Sequence, residues 1–412
     1  MKVTILTQWY PPEPAVLMHE LAQELLASGH SVQVVTGFPN YPSGELAKGY
    51  RLRPWMRDEI DGVDVLRIYL YPDHSRSSSR RVINYLSFAL SVTLLAPFLA
   101  QRPDVLFVYH PPLTIGLPAR VLSWLWGIPY VYQIQDMWPE TLRATGMVNS
   151  ERILSWVGRW AKWTYKHASA ICVISPGFKA NLVAKGVPER KIHVISNWVD
   201  TEVYVPVKPD TRLAEQLGLA GRFNIMFAGN MGQAQALETV LGAAALLSDL
   251  HDVQFVLVGD GIATPELKAS AIEQKLSNVR FLGRYPVSAM ASLFALADIL
   301  LLHLKDDPLF RITIPHKLFA YMASGKPILA AVAGDAAELV TRTGAGIVVP
   351  PEDPQALAAA VRYLYSLSPQ EQAVMAERGL QTARCDYSRK ALVGKLEQLL
   401  RSYSSPSLHG GE

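Results

Sequence analysis

Short apolar runs alternate with helix-length segments along almost the whole chain. Val3–Leu6, Val32–Thr36, Val63–Ile68, Val105–Tyr109, Tyr130–Ile134 and Ala170–Ile174 are apolar with little alternation. That is the pattern of strands covered on both faces. Between them the spacing predicts helices over 15–28, 82–100, 115–126, 151–167 and 177–185. Strand–helix–strand repetition implies a parallel, doubly wound α/β sheet.

The pattern then restarts. Ile225–Ala228, Val253–Val258, Val279–Leu282, Ile299–Leu302, Ile328–Ala331 and Ile347–Val349 form a second strand set. Helical segments 235–248, 265–275, 287–297, 315–324, 335–341 and 354–366 alternate with it. The polar stretch Pro206-Val207-Lys208-Pro209-Asp210 marks a boundary near 200–222. A chain of 412 residues has room for two such domains, each with its own core. We therefore expect an N-terminal Rossmann-like domain over 1–200, a second over 201–384, and a Leu-rich helical segment, 369–403, of which about 385–403 returns to complete the first. Ser404–Glu412 reads as a disordered tail.

One segment breaks the rhythm. Val82–Ala100 has nineteen residues without a charge, directly after Arg76-Ser77-Ser78-Ser79-Arg80-Arg81. Three readings compete: a buried core helix, a helix lying in a membrane interface with its arginines on anionic headgroups, and a true span. Pro97, Asn84 and the hydroxyl residues weigh against a span, as does the segment's place inside an α/β domain. A second stretch, Ile153–His167, sets Trp156, Trp160 and Trp163 at helical spacing among Arg159, Lys162 and Lys166. Trp beside Lys and Arg suits a headgroup region, although a core-facing Trp stripe fits the same spacing.

Charge sharpens this picture. Residues 1–200 carry 20 Lys/Arg against 15 Asp/Glu, a balance of +5; residues 201–412 carry 19 against 21, a balance of −2. The basic first half suits an anionic surface. The total of +3 is too small to argue for nucleic acid. Two cysteines, Cys172 and Cys385, suggest neither a disulfide framework nor a zinc site, and fit a reducing cytoplasm. The run Met1–Leu6 is too short for a signal peptide and meets Pro11, Pro12 and Pro14 at once.

Candidate chemistry sits at strand ends, where doubly wound sheets hold ligands. The first strand runs into Gln8-Trp9-Tyr10-Pro11-Pro12-Glu13-Pro14. Pro12 and Glu13 are candidate acceptor contacts, and a plain surface carboxylate is the alternative for Glu13. Val108-Tyr109-His110-Pro111-Pro112 places His110 at a strand end, either to polarise a hydroxyl or as a polar turn residue. Asp136 serves the same alternatives, polarising group or helix cap before Pro139. In the second half, strand, glycine loop and helix follow one another at Ala228-Gly229-Asn230-Met231-Gly232, and Val258-Gly259-Asp260-Gly261 repeats the strand-then-glycine arrangement. Such loops offer backbone N–H groups to a diphosphate. Lys317 falls in the first turn of a helix opened by Pro315. A cation there opposes the helix dipole unless an anion sits nearby, which favours Lys317 as a diphosphate ligand. No G-x-G-x-x-G opens either sheet, which argues against a nicotinamide oxidoreductase. Asp306-Asp307 reads as a solvated loop rather than a cation site.

The ordered set of segments resembles the retaining GT-B glycosyltransferases of family four. The marks are the proline loop, Ile195-Ser196-Asn197-Trp198-Val199-Asp200, the two glycine loops, Phe281-Leu282-Gly283-Arg284, Ala297-Asp298-Ile299, Ala323-Ser324-Gly325-Lys326-Pro327-Ile328 and Gly344-Ala345-Gly346-Ile347-Val348-Val349-Pro350. Gln135-Asp136-Met137-Trp138-Pro139-Glu140 resembles the branch that builds colanic acid and transfers N-acetylfucosamine to surface polysaccharides.

The resemblance implies two Rossmann-like domains facing across a cleft, with a C-terminal helix crossing back to the first. It implies retention of anomeric configuration, no metal or other cofactor, and a UDP- or GDP-sugar donor. It implies a saccharide acceptor linked to a polyprenyl diphosphate, and a cytoplasmic protein peripheral to the inner face of the plasma membrane. Catalytic roles fall to Lys317 and to Asp136 or His110. Donor contacts fall to Gly229, Asn230, Gly232, Gly259, Gly261, Arg284, Arg311 and Thr313, with Glu338 as a substitute hydroxyl ligand. The chain departs from the family at several positions. Gln135 stands where the family usually has a His. Asn230 and Gln235 stand where it has Arg and Lys. Ile312 and Ala320 stand where it has a Glu pair. Those departures leave open a non-catalytic sugar-nucleotide scaffold, and a GT-B-type nucleotide-sugar epimerase is a further rival.

Overall fold

The computed structural model describes residues 1–74, 77–144, 148 and 150–404. The chain divides into two compact units, one of Met1–Ser196 with the segment from Leu392 onward, the other of Asn197–Ala391. Arg76 of the basic stretch and all but the first residue of the expected tail lie outside the described residues.

The first unit is built on eight strands: β1 (Lys2–Leu6), β2 (Ser31–Gly37), β3 (Trp55–Ile60), β4 (Val63–Ile68), β5 (Val105–Tyr109), β6 (Tyr130–Ile134), β7 (Ala170–Val173) and β8 (Ile192–Val194). Their spatial order is β3-β4-β2-β1-β5-β6-β7-β8. All neighbours are parallel except β3 and β4. That antiparallel pair is an edge hairpin that the apolar-run pattern missed. Trp55–Ile60 alternates exposed and half-buried positions instead of forming an apolar run. Its turn, Asp61-Gly62, has positive φ at both residues (50° and 79°), the geometry that favours Asp-Gly between right-twisted strands.

The second unit carries β9 (Phe223–Ala228), β10 (Val253–Val258), β11 (Val279–Gly283), β12 (Ile299–His303), β13 (Ile328–Ala331) and β14 (Gly346–Val349). They lie in the order β11-β10-β9-β12-β13-β14, all parallel. Chain order reverses between β9 and β12 here, and between β1 and β5 in the first unit. Such reversals open a crevice at the carboxyl ends of the strands.

Local signals set the helix ends. Asp210 accepts from the amides of Arg212 and Leu213. Asp353 accepts from Ala356 N, and Ser368 and Glu371 form a reciprocal capping box. The expected segment 369–403 is two helices, Pro369–Asp386 and Arg389–Ser404. At the break, Tyr387 O accepts from Val199 N and Ser388 bridges Val199. The last helix is tied to the first unit by His30 Nε2 on Glu397 Oε1 at 2.9 Å. Several recurring motif residues serve the fold. Asp298 Oδ2 accepts from Asn224 N at 2.7 Å, joining the starts of β9 and β12, and Lys326 Nζ donates to Ala295 O.

The uncharged segment is a helix, Ser78–Leu99. Asn84, Phe88, Ala89, Val92 and Ala96 lie in the core, while Leu90, Leu94 and Phe98 are 53%, 67% and 88% exposed. It is long and apolar enough to cross a membrane by length and composition, yet one whole face is committed to the core of the unit. Helix Gly116–Trp126 packs beside it, and helix Glu151–His167 packs beside that. Gly116 makes the second contact possible, because a Cβ there would come within 2.5 Å of the Thr164 side chain.

Candidate active site

The loop after β9 and the loop after β10 touch through their backbones. Gly229 N donates to Val258 O and Met231 N to Asp260 O. A Cβ on Gly259 would lie 1.9 Å from Gly229 O, and Gly259 has φ of 125°, so only glycine fits. Gly261 likewise faces Met231 backbone, so its bareness serves loop packing. The Tyr321 hydroxyl fixes the end of β9 from beneath, accepting from Ala228 N at 2.8 Å and donating to Ala228 O at 3.0 Å.

Above these loops opens a pocket of about 390 Å³, whose lining includes Gly229, Asn230, Gly259, Asp260, Arg284 and Lys317. Lys317 comes from helix His316–Ala323. Its Nζ donates to Gln235 Oε1 at 2.8 Å and lies 4.0 Å from the centre of the Phe227 ring. A Cβ on Gly229 would sit 2.8 Å from that Nζ. Burial pulls the Lys317 pKa down from its usual range to about 7. Below it, His303 Nδ1 bonds Gln235 O at 2.7 Å, which requires the proton on Nδ1. Burial holds His303 neutral, with its pKa lowered to about 4.

In the first unit, the segments after β1, β2 and β6 carry the polar groups. Glu13 is buried, and its carboxylate accepts from Tyr10 N at 3.0 Å and from Asn40 N and Tyr41 N, each at 2.8 Å. Burial pushes its pKa up to about 7 against those amides. Arg67, fully buried, donates to Pro11 O and Gly37 O and pairs with Asp58 at 3.0 Å. His110 is fully buried against Tyr132 and Trp138, and neither ring nitrogen has a hydrogen-bond partner among the described residues. Its pKa is lowered by burial to about 3. Asp136 is half-buried, its pKa raised by burial.

Two family models divide the chain between them. Residues 14–198 match the glycosyl transferase 4-like domain and residues 222–366 match the glycosyl transferases group 1. The chain is a GT-B glycosyltransferase of the family-four type. It is 27% identical over 379 residues to a putative colanic acid biosynthesis glycosyl transferase, WcaI, of Escherichia coli K12, covering 88% of this chain and 91% of that one. It is 28% identical to a probable glycosyltransferase, WbjE, of Pseudomonas aeruginosa, over 69% of this chain and 72% of that one. In fold it is similar to Anabaena HepE in complex with UDP-glucose, with a TM-score of 0.71 at 19% identity, over 98% of this chain and 100% of that one.

The glycosyltransferase brings some expected site residues together and scatters others. Gly229, Asn230, Gly259, Arg284 and Lys317 share one pocket. Arg284, largely exposed, pairs with Asp260 at 3.5 Å on its rim. Gly232 caps the short turn Gln233–Gln235 and, like Gly261, is not in the lining.

Arg311 is corrected: it is exposed and bound through Nε and Nη2 to Asp306, at 2.8 and 2.9 Å, so its charge is engaged away from the pocket. Thr313 spends its hydroxyl on Leu309 O at 2.7 Å, and Glu338 is exposed on helix Asp335–Thr343. Glu13 is a clamp between two loops, since its oxygens face backbone amides inside the unit. Pro12 is exposed beside it. His110 lies inside the core, where no hydroxyl of a substrate reaches it without displacement of the packed rings. Among the described residues, no cluster of three or more His, Cys, Asp or Glu side chains could hold a metal ion. Asp307 caps the helix that starts at Pro308.

Sequence reasoning missed Tyr204, Tyr285 and His316, which also line the pocket. His316 offered a signal in standing beside Lys317 at a helix start; its Nε2 bonds Trp198 O at 2.8 Å. Tyr204 and Tyr285 sit in irregular segments whose pattern shows nothing.

Proposed function

We propose that this glycosyltransferase moves a sugar from a nucleoside-diphosphate donor to a saccharide acceptor on a lipid diphosphate, with retention of configuration and without a metal ion. The observation that carries the reading is Lys317: a desolvated amine at the mouth of two touching glycine loops, in a pocket of the size a nucleotide needs. A buried cation without an anionic partner is costly, and a diphosphate would supply that partner. The likeness in fold to HepE bound to UDP-glucose supports a nucleoside-diphosphate sugar, uridine or guanosine being open to test.

The chemistry then asks little of the chain. Departure of the diphosphate develops negative charge, which Lys317 stabilises in place of a divalent cation. The acceptor hydroxyl attacks from the face the diphosphate leaves, and a departing phosphate oxygen takes the hydroxyl proton. The C–O bond to the diphosphate breaks as the new glycosidic bond forms, so no protein nucleophile is needed. Asp136 orients and polarises the acceptor hydroxyl.

The acceptor's lipid implies a membrane surface. Leu90, Leu94, Phe98, Trp124, Leu125, Ile153 and Trp156 are exposed on three neighbouring helices, with Arg80, Arg159, Lys162 and Lys166 exposed among them. Apolar and aromatic side chains interspersed with cations suit the boundary of an anionic leaflet. This reading makes the enzyme a cytoplasmic protein held at the inner face of the plasma membrane.

A thermal-shift series with UDP and GDP, each with Mg²⁺ and with EDTA, tests the donor side. A ligand bound only by the folded state raises Tm. A shift with one diphosphate, the same under both conditions, is expected. No shift with either would remove the donor reading.

A further inference from the structure

Three aromatic rings meet at the carboxyl edge of the first unit's sheet, each from a different segment. Trp9 follows β1, Tyr41 follows β2 and Tyr85 stands on helix Ser78–Leu99. Trp9 and Tyr41 lie 5.3 Å apart between ring centres, Trp9 and Tyr85 6.4 Å, and His74 stands edge-on to Tyr41 at 4.6 Å. All four rings are half-buried.

Directly beside this cluster the polar groups are satisfied among themselves. Gln8 Nε2 donates to Asn84 Oδ1 at 2.6 Å, Asn84 Nδ2 donates to Tyr71 O at 2.7 Å, and Glu13 bonds the amides of Asn40 and Tyr41. These bonds lock the three segments to one another. The groups around the rings are the opposite. The Trp9 indole N–H, the Tyr41 and Tyr85 hydroxyls and the Asp136 carboxylate make no hydrogen bond among the described residues and stay open to solvent on half-buried side chains, and Arg81 Nε is buried without a partner. Arg81 and Tyr85 are one helical turn apart on one face. Burial raises the Tyr85 hydroxyl pKa, Arg81 draws it down and Asp136 adds to the rise, so both charges bear on Tyr85.

We propose that Trp9, Tyr41 and Tyr85 form the floor of a subsite for a phosphate-bearing saccharide, with Arg81 on the phosphate and Asp136 on a sugar hydroxyl. Sugar rings present C–H faces to aromatic rings and hydroxyls to whatever donors and acceptors surround them. A rigid aromatic floor edged by polar groups that the protein leaves uncommitted meets both needs. A guanidinium matches phosphate geometry and stays charged throughout. The subsite rests on the transferase reading for its role as acceptor site, but its binding is measurable without turnover. The same phosphate chemistry has two sources, a prenyl diphosphate-linked sugar and a soluble sugar phosphate, and the probes separate them.

The test is calorimetric titration of the whole protein with three probe sets. They are hexose and N-acetylhexosamine 1-phosphates, the same sugars as farnesyl diphosphate conjugates, and the free sugars. At least one phosphate-bearing sugar should bind tenfold or more tighter than its free form. Arg81→Gln should abolish that preference and Arg81→Lys restore part of it. Trp9→Ala should remove binding, and Tyr85→Phe, which keeps the ring and the fold, should weaken it. Preference for the farnesyl conjugate assigns the lipid-linked source; equal binding of the 1-phosphate assigns the soluble one. Binding indifferent to Arg81→Gln and Tyr85→Phe, or absent for every probe, overturns the subsite. A UDP thermal shift run alongside keeps the two readings apart. UDP binding with no sugar binding sinks the subsite alone, and sugar binding with no response to UDP or GDP sinks the donor reading alone.

Discussion

Lys317 Nζ and Gln235 Oε1 lie 2.8 Å apart, although the lysine belongs to helix His316–Ala323 and the glutamine to the turn after β9. The family resemblance expects a lysine where this chain has Gln235. The structure brings a lysine amine within hydrogen-bond distance of that side chain from another element. The missing basic residue is thus offset in space, and Gln235, held by His303 through its carbonyl, serves as the lysine's rest.

A swap tests this. Lys317→Gln should lower kcat/KM by about 10²–10³, the usual loss when one group stabilising developing charge is removed. Adding Gln235→Lys to that variant returns a cation to the same place and should recover most of the loss. Steady-state kinetics with the cognate donor would check both. A single variant with unchanged turnover would take Lys317 out of the site.

Protonation offers a second test. Lys317 has its pKa lowered to about 7 by burial, so at pH 8 the amine of the free enzyme is mostly neutral. A bound diphosphate favours the charged form and raises that pKa. Binding at pH 8 should therefore take up close to one proton, and the uptake should shrink as the pH falls toward 7 and the amine of the free enzyme becomes charged. The phosphate's own titration, near pH 6, is complete by pH 8 and does not contribute. Titrations in buffers of different ionisation enthalpy would measure the uptake. Proton release, or none at pH 8, would contradict a diphosphate on Lys317.

Where function follows backbone pattern, the sequence was readable. β5, β6, β10 and β13 coincide with their apolar runs, and Gly229 and Gly259 follow strands at the switch of the sheet. What periodicity cannot carry is side-chain direction. Glu13, His110 and Asp136 all follow strands, and nothing in their spacing separates a clamp on three amides, a fully buried ring and a free carboxylate. Arg311 failed for the same reason, since its partner Asp306 is a short-range ion pair that spacing permits without requiring. The β3–β4 hairpin was missed because an edge strand needs no apolar run, though Asp61-Gly62 held the signal.

Chelation separates the proposed chemistry from a metal-assisted one. With charge on the leaving diphosphate met by Lys317, transfer should proceed at an unchanged rate in millimolar EDTA. Rate loss restored by Mg²⁺ or Mn²⁺ would show that a cation carries part of that charge.

The exposed stripe of helix Ser78–Leu99 makes the last case. Leu90, Leu94 and Phe98 are 53%, 67% and 88% exposed, so they add little to the core, while Phe88 and Val92 on the opposite face are fully buried. Replacing Leu90, Leu94 and Phe98 together with serine should leave Tm within a few degrees of the parent. If the stripe enters a bilayer, the same change removes apolar area from the lipid contact at about 25 cal/mol per Å². Cosedimentation with phosphatidylglycerol-containing vesicles should then fall by at least about tenfold. Arg159→Glu with Lys162→Glu should weaken binding to those vesicles and leave neutral vesicles unaffected, because their charges act only on an anionic surface. Phe88→Ser should do the reverse, lowering Tm by opening the core. If the triple serine variant binds vesicles as well as the parent, the membrane contact lies elsewhere. If it unfolds, the stripe is a core face after all, and the buried-helix reading of 82–100 is the right one.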